Sequence, residues 1–382
     1  MLGDSATGIT TTTDGNIVVV NTVGSVTIAS DSSTMGSGSI VLTASSDVVV
    51  NAALSTVGSG IRLQADNDVI SNASGSLSSI GGPIFLEADF DTNGDGTIDY
   101  QATINAGANN VTATLADTDG DISGVISGTG GFVKNGNGTL ALSATNTYTG
   151  QTTINVGRLD IIGSITSDVS ITGGVLGGTG TVFGNVNLTA AGDSISPGTS
   201  PGILTIDGDV TLDANGDFDI EIDGTTAGTQ HDQVQVDGAN RTVALNDAEL
   251  VITLGFSPAV NDTFTIINNT DAGTTVTGTF TALIDGVLHS LPDDEAFLVG
   301  QEVFTIDYNG GTGNDVVLTA FGLVETFVRV NGNDLEIEDV NGGVTDDTIT
   351  IQSDTTNNRY VITDPNNTVS TGIAGATRPT IN

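Results

Sequence analysis

Short apolar runs recur in the first quarter of the chain, and glycine, serine and asparagine separate them. Four of these runs begin with an isoleucine, at Ile17, Ile40, Ile61 and Ile84, and so repeat at nearly constant spacing. Further short apolar runs lie between them, at residues 26–28, 48–50 and 69–70. Runs of this length between turn residues predict strands, so each unit of about 22 residues has at least two strands and two corners. Such a unit matches one rung of a parallel β-helix, which buries its apolar face by stacking on its neighbours.

Residues 131–159 contain the most informative part of the pattern. Three short alternating runs occupy residues 139–142, 152–156 and 158–161, with glycine, asparagine and threonine between them. Alternation predicts strands with one buried face, and glycine and asparagine tolerate the positive φ of tight corners. The sequence of this stretch resembles the autotransporter-associated β-strand repeat of bacterial passenger proteins. Residues 173–182 and 196–205 resemble the same repeat. The resemblance covers roughly residues 120–320 and implies an exported β-solenoid. Residues 15–88 are similar, more weakly, to filamentous-haemagglutinin-like β-helix repeats.

Together these patterns predict an all-β protein: a right-handed parallel β-helix, a C-terminal β cap and a small additional antiparallel β module. We expect the solenoid with autotransporter-type repeats at residues 1–212 and its terminal, capping β region at 213–322. We expect a small truncated module at residues 323–382, where residues 330–335 predict a hairpin. A cap is expected because an open solenoid end exposes unpaired backbone. About fourteen rungs at roughly 4.8 Å each would span on the order of 70 Å.

Composition narrows the range of partners and the sources of stability. The chain has 46 acidic and 7 basic residues, a net charge of −39, so nucleic acid is not an expected partner whereas divalent cations are attracted. It contains no cysteine, so stacking instead of disulfide bonds must stabilise it. The sequence has no apolar stretch of about 20 residues, so it predicts no transmembrane helix. The N-terminus has no visible signal peptide, and we therefore expect the sequence to be a segment of a longer exported protein.

The best candidate for a bound ion is an acidic segment with alternating oxygen-bearing side chains. Its candidate metal ligands are Asp89, Asp91, Asn93, Asp95, Thr97 and Asp99. Asp91, Asn93 and Asp95 stand at positions 1, 3 and 5 of a calcium loop, where oxygen ligands converge on a hard cation. Position 12 is Ala102, so the usual bidentate carboxylate is missing. We expect weak Ca²⁺ binding with a structural role, and the alternative is an acidic insertion loop between rungs.

Other patterns predict little chemistry. Residues 117–121 form a shorter acidic turn, and residues 310–317 match one copy of a nonapeptide calcium repeat that needs tandem copies to bind. Residues 198–202 match the G-x-S-x-G pattern at Ser200, but Pro201 has no N–H for an oxyanion hole, which favours an ordinary turn. The two histidines, His231 and His289, are expected at ordinary surface positions.

These observations predict a non-catalytic extracellular segment of a large bacterial surface protein, acting as a stalk or adhesin scaffold. The alternative is a polysaccharide-binding or polysaccharide-cleaving β-helix protein, although few aromatic residues are available to stack on sugar rings. A third interpretation, an ice-binding β-helix, would need a regular threonine ladder that the sequence does not show. We expect a location at the cell surface, with attachment to the outer membrane through parts outside this sequence. The expected partner is a surface or carbohydrate ligand, with self-association as a further option.

Overall fold

The computed structural model describes residues 9–284, 286–323, 326–331, 334–339, 349–354, 359–363 and 369–371. Within these ranges every regular element is a strand. The first part of the chain contains β1 (Thr10–Thr11), β2 (Ile17–Asn21), β3 (Val26–Ile28), β4 (Ser32–Thr34), β5 (Ile40–Ala44), β6 (Val48–Val50), β7 (Leu54–Thr56), β8 (Ile61–Ala65), β9 (Val69–Ser71), β10 (Leu77–Ser79), β11 (Ile84–Ala88), β12 (Ile98–Tyr100), β13 (Ile104–Asn105), β14 (Val111–Leu115), β15 (Gly120–Ile122) and β16 (Ile126–Ser127).

The middle of the chain continues the same short strands and then lengthens them. It contains β17 (Phe132–Asn135), β18 (Thr139–Leu142), β19 (Thr152–Ile154), β20 (Gly157–Ile161), β21 (Ser164–Ile165), β22 (Val169–Ile171), β23 (Gly174–Gly177), β24 (Thr181–Val182), β25 (Val186–Leu188), β26 (Ser194–Ile195), β27 (Ile203–Ile206), β28 (Val210–Thr211), β29 (Asp217–Ile222), β30 (Gln233–Val236), β31 (Thr242–Ala244), β32 (Glu249–Leu254), β33 (Thr263–Asn269) and β34 (Thr275–Thr277).

The remaining strands are mostly antiparallel. They are β35 (Phe280–Ile284), β36 (Val287–Leu291), β37 (Ala296–Val299), β38 (Glu302–Gly310), β39 (Asp315–Leu323), β40 (Thr326–Asn331), β41 (Asp334–Asp339), β42 (Thr350–Asp354), β43 (Arg359–Thr363) and β44 (Val369–Thr371).

The strands stack into three parallel faces, which confirms the predicted β-helix. The first face is a sheet of 12 strands that runs from β2 to β34, and every pairing in it is parallel. The second face runs from β3 to β35 and ends in the β35–β36 hairpin. The third face consists of two sheets, one from β1 to β16 and one that begins at β21. Each rung therefore has up to three strands, one more than the minimum that the sequence indicated.

The spacing of the isoleucines in the sequence matches the register of the first face, since each isoleucine is paired with the next. Ile17 lies opposite Ile40, Ile40 opposite Ile61, and Ile61 opposite Ile84, and all four side chains are buried. Stacked aliphatic residues thus fill the interior, where each rung covers the apolar face of the one before.

Later rungs of the first face differ widely in length. A short one takes the chain from Val169 to its partner Val186, whereas a much longer one separates Val210 from its partner Val243. For that reason the first face has 12 strands, fewer than the expected fourteen, and spans about 53 Å at about 4.8 Å per step.

The third face is interrupted in the rung of β17 and β18. No strand of the described chain stands between β16 and β21 on this face; a single parallel bridge pairs Thr145 with Ser164. The Asn146 side chain lies in this gap, fully buried. Its Oδ1 accepts the N–H of Ile126 at 2.8 Å, and its Nδ2 donates to the carbonyls of Ser164 at 3.2 Å and Ala144 at 3.0 Å. One amide side chain therefore makes hydrogen bonds to the rung before and the rung after.

Antiparallel strands and aromatic side chains close the C-terminal end of the core. β39 pairs antiparallel with both β33 and β38, and β38 pairs with β37. Buried phenylalanines lie at this end, with ring centroids 5.3 Å apart for Phe218 and Phe280 and 6.1 Å apart for Phe264 and Phe304. These strands form the predicted cap.

Beyond the cap, the described residues form small sheets. β40 and β41 make the predicted hairpin, with Val330 opposite Leu335, and β42 pairs antiparallel with β43. β44 joins β40 in parallel. The loop at residues 332–333 and much of the segment from 340 onward lie outside the described residues, so the domain boundaries at 212 and 322 remain predictions.

Candidate functional site

The predicted metal-binding segment forms a loop of residues 89–97 between β11 on the first face and β12 on the second. This loop lengthens its rung: Ile84 lies opposite Val111, whereas the rung before leads from Ile61 to Ile84. The N–H of Asp89 donates to the carbonyl of Asn67 in the previous rung at 3.1 Å. A Cβ on Gly96 would lie only 2.4 Å from the same oxygen, so the two ends of the loop meet at one corner. Residues 90–95 are exposed and project from the wall.

Three of the predicted carboxylates come together in this loop. Asp89, Asp91 and Asp95 each offer a carboxylate oxygen, and these atoms all lie within 4.8 Å of one another. Asp91 and Asp95 are exposed, whereas Asp89 is only 1% exposed and has a φ of 52°. Its Oδ1 accepts the N–H of Gly94 at 3.1 Å, and its buried Oδ2 has no hydrogen-bond partner. The cluster thus combines mutual repulsion with one desolvated, unpaired carboxylate oxygen.

Asn93 shapes the loop between the carboxylates. Its Nδ2 donates to Asp91 Oδ2 and its Oδ1 accepts the N–H of Asp95, both at 3.1 Å. Ala102, at the position where a calcium loop would supply a bidentate carboxylate, is buried in the core.

The other two predicted ligands are Thr97, at the end of the loop, and Asp99, which lies on β12 and does not belong to the three-carboxylate cluster. Thr97 donates its N–H to Asp68 Oδ1 at 2.8 Å and its hydroxyl to the carbonyl of Asp119, which joins it to the rungs on both sides. Asp99 is exposed on β12, opposite Asp121 of β15.

The acidic turn at residues 117–121 uses its carboxylates in hydrogen bonds between rungs. Asn137 donates to Asp117 Oδ1 at 3.0 Å, and the Ser143 hydroxyl donates to Asp121 Oδ1 at 2.6 Å. Among the described residues, only the loop at 89–97 brings three acidic or histidine ligands together.

The turn at residues 310–315 joins β38 to β39. Both oxygens of Asp315 accept backbone N–H groups, Oδ1 from Asn269 at 2.7 Å and Oδ2 from Thr312 at 2.9 Å. The carboxylate therefore fixes the hairpin turn to the end of β33.

Ser200 lies in a turn, as its sequence context indicated, and has a φ of 99°. Its hydroxyl donates to Glu221 Oε2 at 2.7 Å. His231 is buried, contrary to the expected surface position, because its ring packs edge-on against Phe264 at 5.5 Å. Its Nδ1 lies 3.2 Å from the carbonyl of Gly224. The Ser200 hydroxyl is thus paired with a carboxylate and not with an imidazole.

The turn that contains Ser200 covers one side of a surface cleft of about 530 Å³ on the second face. Arg158 holds this turn in place: its Nη2 donates to the carbonyls of Ser196 at 3.0 Å and Gly198 at 2.6 Å. Its Nε forms an ion pair with Asp160 at 2.7 Å. The carboxylates that line the cleft are Asp160, Asp219, Glu221 and Asp232.

Burial changes the acid strength of these carboxyl groups. It raises the pKa of Asp160 and Asp219, and it raises the pKa of Asp232 to about 6 even though Asp232 accepts the N–H groups of Glu221 and Gly202. Desolvation disfavours the charged form, and here it outweighs the hydrogen bonds. Near neutral pH the cleft has a negative, hydrogen-bond-accepting lining.

No motif in the sequence indicates this cleft. Asp219 and Glu221 lie on the outer side of β29, and their neighbours in the cleft come from rungs far away in the sequence. Arg158 and Asp160 belong to β20, and Asp232 precedes β30. The only signal available was the outward position of charged residues on adjacent strands.

Residues 132–161 match the family model of the passenger-associated-transport-repeat. They span β17 to β20 and include Asn146, at the place where the third face is interrupted. No curated protein matches the chain. In the part of the chain that the structure describes, no helix has the length and apolarity needed to cross a membrane. The autotransporter passenger repeat implies a surface or extracellular location. The chain is therefore a parallel β-helix in which residues 132–161 match the passenger-associated-transport-repeat.

Proposed function

We propose that the chain is a non-catalytic stalk or scaffold segment of a large bacterial surface protein. The supporting observation is the first face, on which 12 strands pair in parallel without interruption. Because each rung contacts only its neighbours, such a stack is a quasi-linear element that separates what lies at its two ends.

The surface chemistry supports the same role. In the later rungs one outward column of the first face carries the small polar residues Thr153, Ser170 and Asn187, after Val133 in the rung before them. With a net charge of −39 the chain repels other copies of itself and anionic surfaces, which favours an extended, solvated rod.

Surface labelling of producing cells tests this proposal. Antibodies against the chain should label intact cells, and proteinase K added outside should remove the signal while a cytoplasmic marker stays intact. Labelling that requires permeabilised cells would contradict a surface role.

A second candidate function is carbohydrate binding in the cleft beside Arg158. Carboxylates such as Asp219 and Glu221 accept hydrogen bonds from sugar hydroxyls and attract amino sugars, while they repel uronic acids. We therefore expect chitosan oligosaccharides to bind in preference to alginate, and Glu221→Gln to weaken that binding. Equal binding of both polysaccharides, or no effect of Glu221→Gln, would exclude the cleft as the site.

A further inference from the structure

We propose that Asp89, Asp91 and Asp95 bind one Ca²⁺ ion, which fixes the loop of residues 89–97 to the corner of the β-helix. This inference goes beyond the stalk function, since a stalk needs no ion at this position. It rests on the convergence of the three carboxylates and, separately, on the unpaired oxygen of Asp89.

The convergence requires a counter-charge. Three carboxylate oxygens within 4.8 Å of one another repel, and the loop itself brings them together. The curl of the loop comes from left-handed backbone at Asp89, Thr92 and Gly94, with φ of 52°, 57° and 84°. A cation between the carboxylates would turn this repulsion into attraction.

The buried oxygen of Asp89 points to the same ligand independently. Asp89 is only 1% exposed, yet its Oδ2 accepts no hydrogen bond. Buried charges in proteins are paired or coordinate metals, because desolvation without a partner is costly. A bound cation supplies the missing partner.

The donor set selects Ca²⁺. The three members of the cluster, Asp89, Asp91 and Asp95, all offer carboxylate oxygen, the ligand that hard cations prefer. Ca²⁺ accepts six to eight oxygen ligands in variable geometry, whereas Mg²⁺ requires a near-ideal octahedron and retains its water. Without a bidentate carboxylate at Ala102, the affinity belongs to the weak class of extracellular sites, with Kd of about 10⁻⁴ to 10⁻³ M.

The test is a Ca²⁺ titration of the full chain, followed by NMR at the amide of Gly94, whose N–H donates to Asp89 Oδ1. A local probe is needed because the acidic surface also attracts cations without specific sites. At physiological salt the Gly94 shift should saturate at about millimolar Ca²⁺. Asp89→Asn should weaken binding at least tenfold, whereas Asp119→Asn, an exposed control in the next rung, should leave the titration unchanged.

Thermal melting provides a second readout. The melting temperature of the wild type and of Asp119→Asn should rise when millimolar Ca²⁺ is added, and that of Asp89→Asn should not, because only specific binding to the folded state stabilises it. Circular dichroism verifies that Asp89→Asn is folded. A non-saturating Gly94 shift, equal affinity in wild type and Asp89→Asn, or an unchanged melting temperature of the wild type would overturn the proposal.

Discussion

Asn146 provides the sharpest test of how the third face is held together where a strand is missing. In the Asn146→Ala variant the buried N–H of Ile126 loses its acceptor, and the carbonyls of Ser164 and Ala144 each lose a donor. Ser164 still receives the backbone N–H of residue 146 at 2.8 Å, so the main penalty is the unsatisfied N–H of Ile126. A buried polar group left without a partner costs about 1–3 kcal/mol, and we expect a loss of about 2–3 kcal/mol.

Equilibrium urea unfolding followed by far-UV circular dichroism measures this loss. The matched control is Asn187→Ala, since Asn187 lies on the outer surface of β25 and its side chain is half-buried. Asn146→Asp should be still less stable at neutral pH, because its buried, unpaired carboxylate faces the carbonyls of Ser164 and Ala144, and that penalty exceeds the gain from keeping the acceptor for Ile126. If Asn146→Ala and Asn187→Ala unfold within about 0.5 kcal/mol of each other, the reasoning about the gap is refuted.

Two further predictions concern the interior and the register. Burial lowers the pKa of Lys134 to about 8 from its usual 10.5. Between pH 8 and 10.5 the unfolded chain therefore binds more protons than the folded one. The free energy of unfolding should rise with pH across this window, by up to about 3 kcal/mol. Urea midpoints of Lys134→Met should lack this rise; identical pH profiles would contradict it. In the cysteine-free chain, cysteines replacing Thr153 and Ser170 should form a disulfide, since these residues are opposite each other. Cysteines replacing Thr153 and Asn187, two rungs apart, should not, and equal cross-linking of both pairs would disprove the register.

The sequence was sufficient to predict the parallel β-helix, because spacing along the chain and stacking in space are directly related in a solenoid. Ile17, Ile40, Ile61 and Ile84 recur at the rung length and lie in register. The third face was harder to predict, since strands such as β4 contain mainly serine and threonine and have no apolar signal. The inward side chains of β4, Ser32 and Thr34, are short hydroxyls.

The two candidate sites, the loop of residues 89–97 and the cleft beside Arg158, also differ in how far the sequence could predict them. The carboxylates of Asp89, Asp91 and Asp95 are close in sequence, so a loop motif could predict their convergence. The cleft beside Arg158 could not be predicted, because it depends on the register between strands of different rungs and joins residues as distant in sequence as Arg158 and Asp232. Asn146 was also missed, since a side chain that replaces a strand leaves no periodic pattern.

The rungs stack in continuous register, which makes the β-helix a rigid rod. The distance between spin labels on cysteines replacing Val41 and Asn187 measures this continuity, since the native chain has no cysteine. These outward positions belong to one column of the first face and are separated by seven rung steps. Electron–electron double resonance should give one narrow distribution centred at about 34 Å, from about 4.8 Å per step. A broad distribution, or a narrow one displaced by two rungs or more, would contradict the stacked rod.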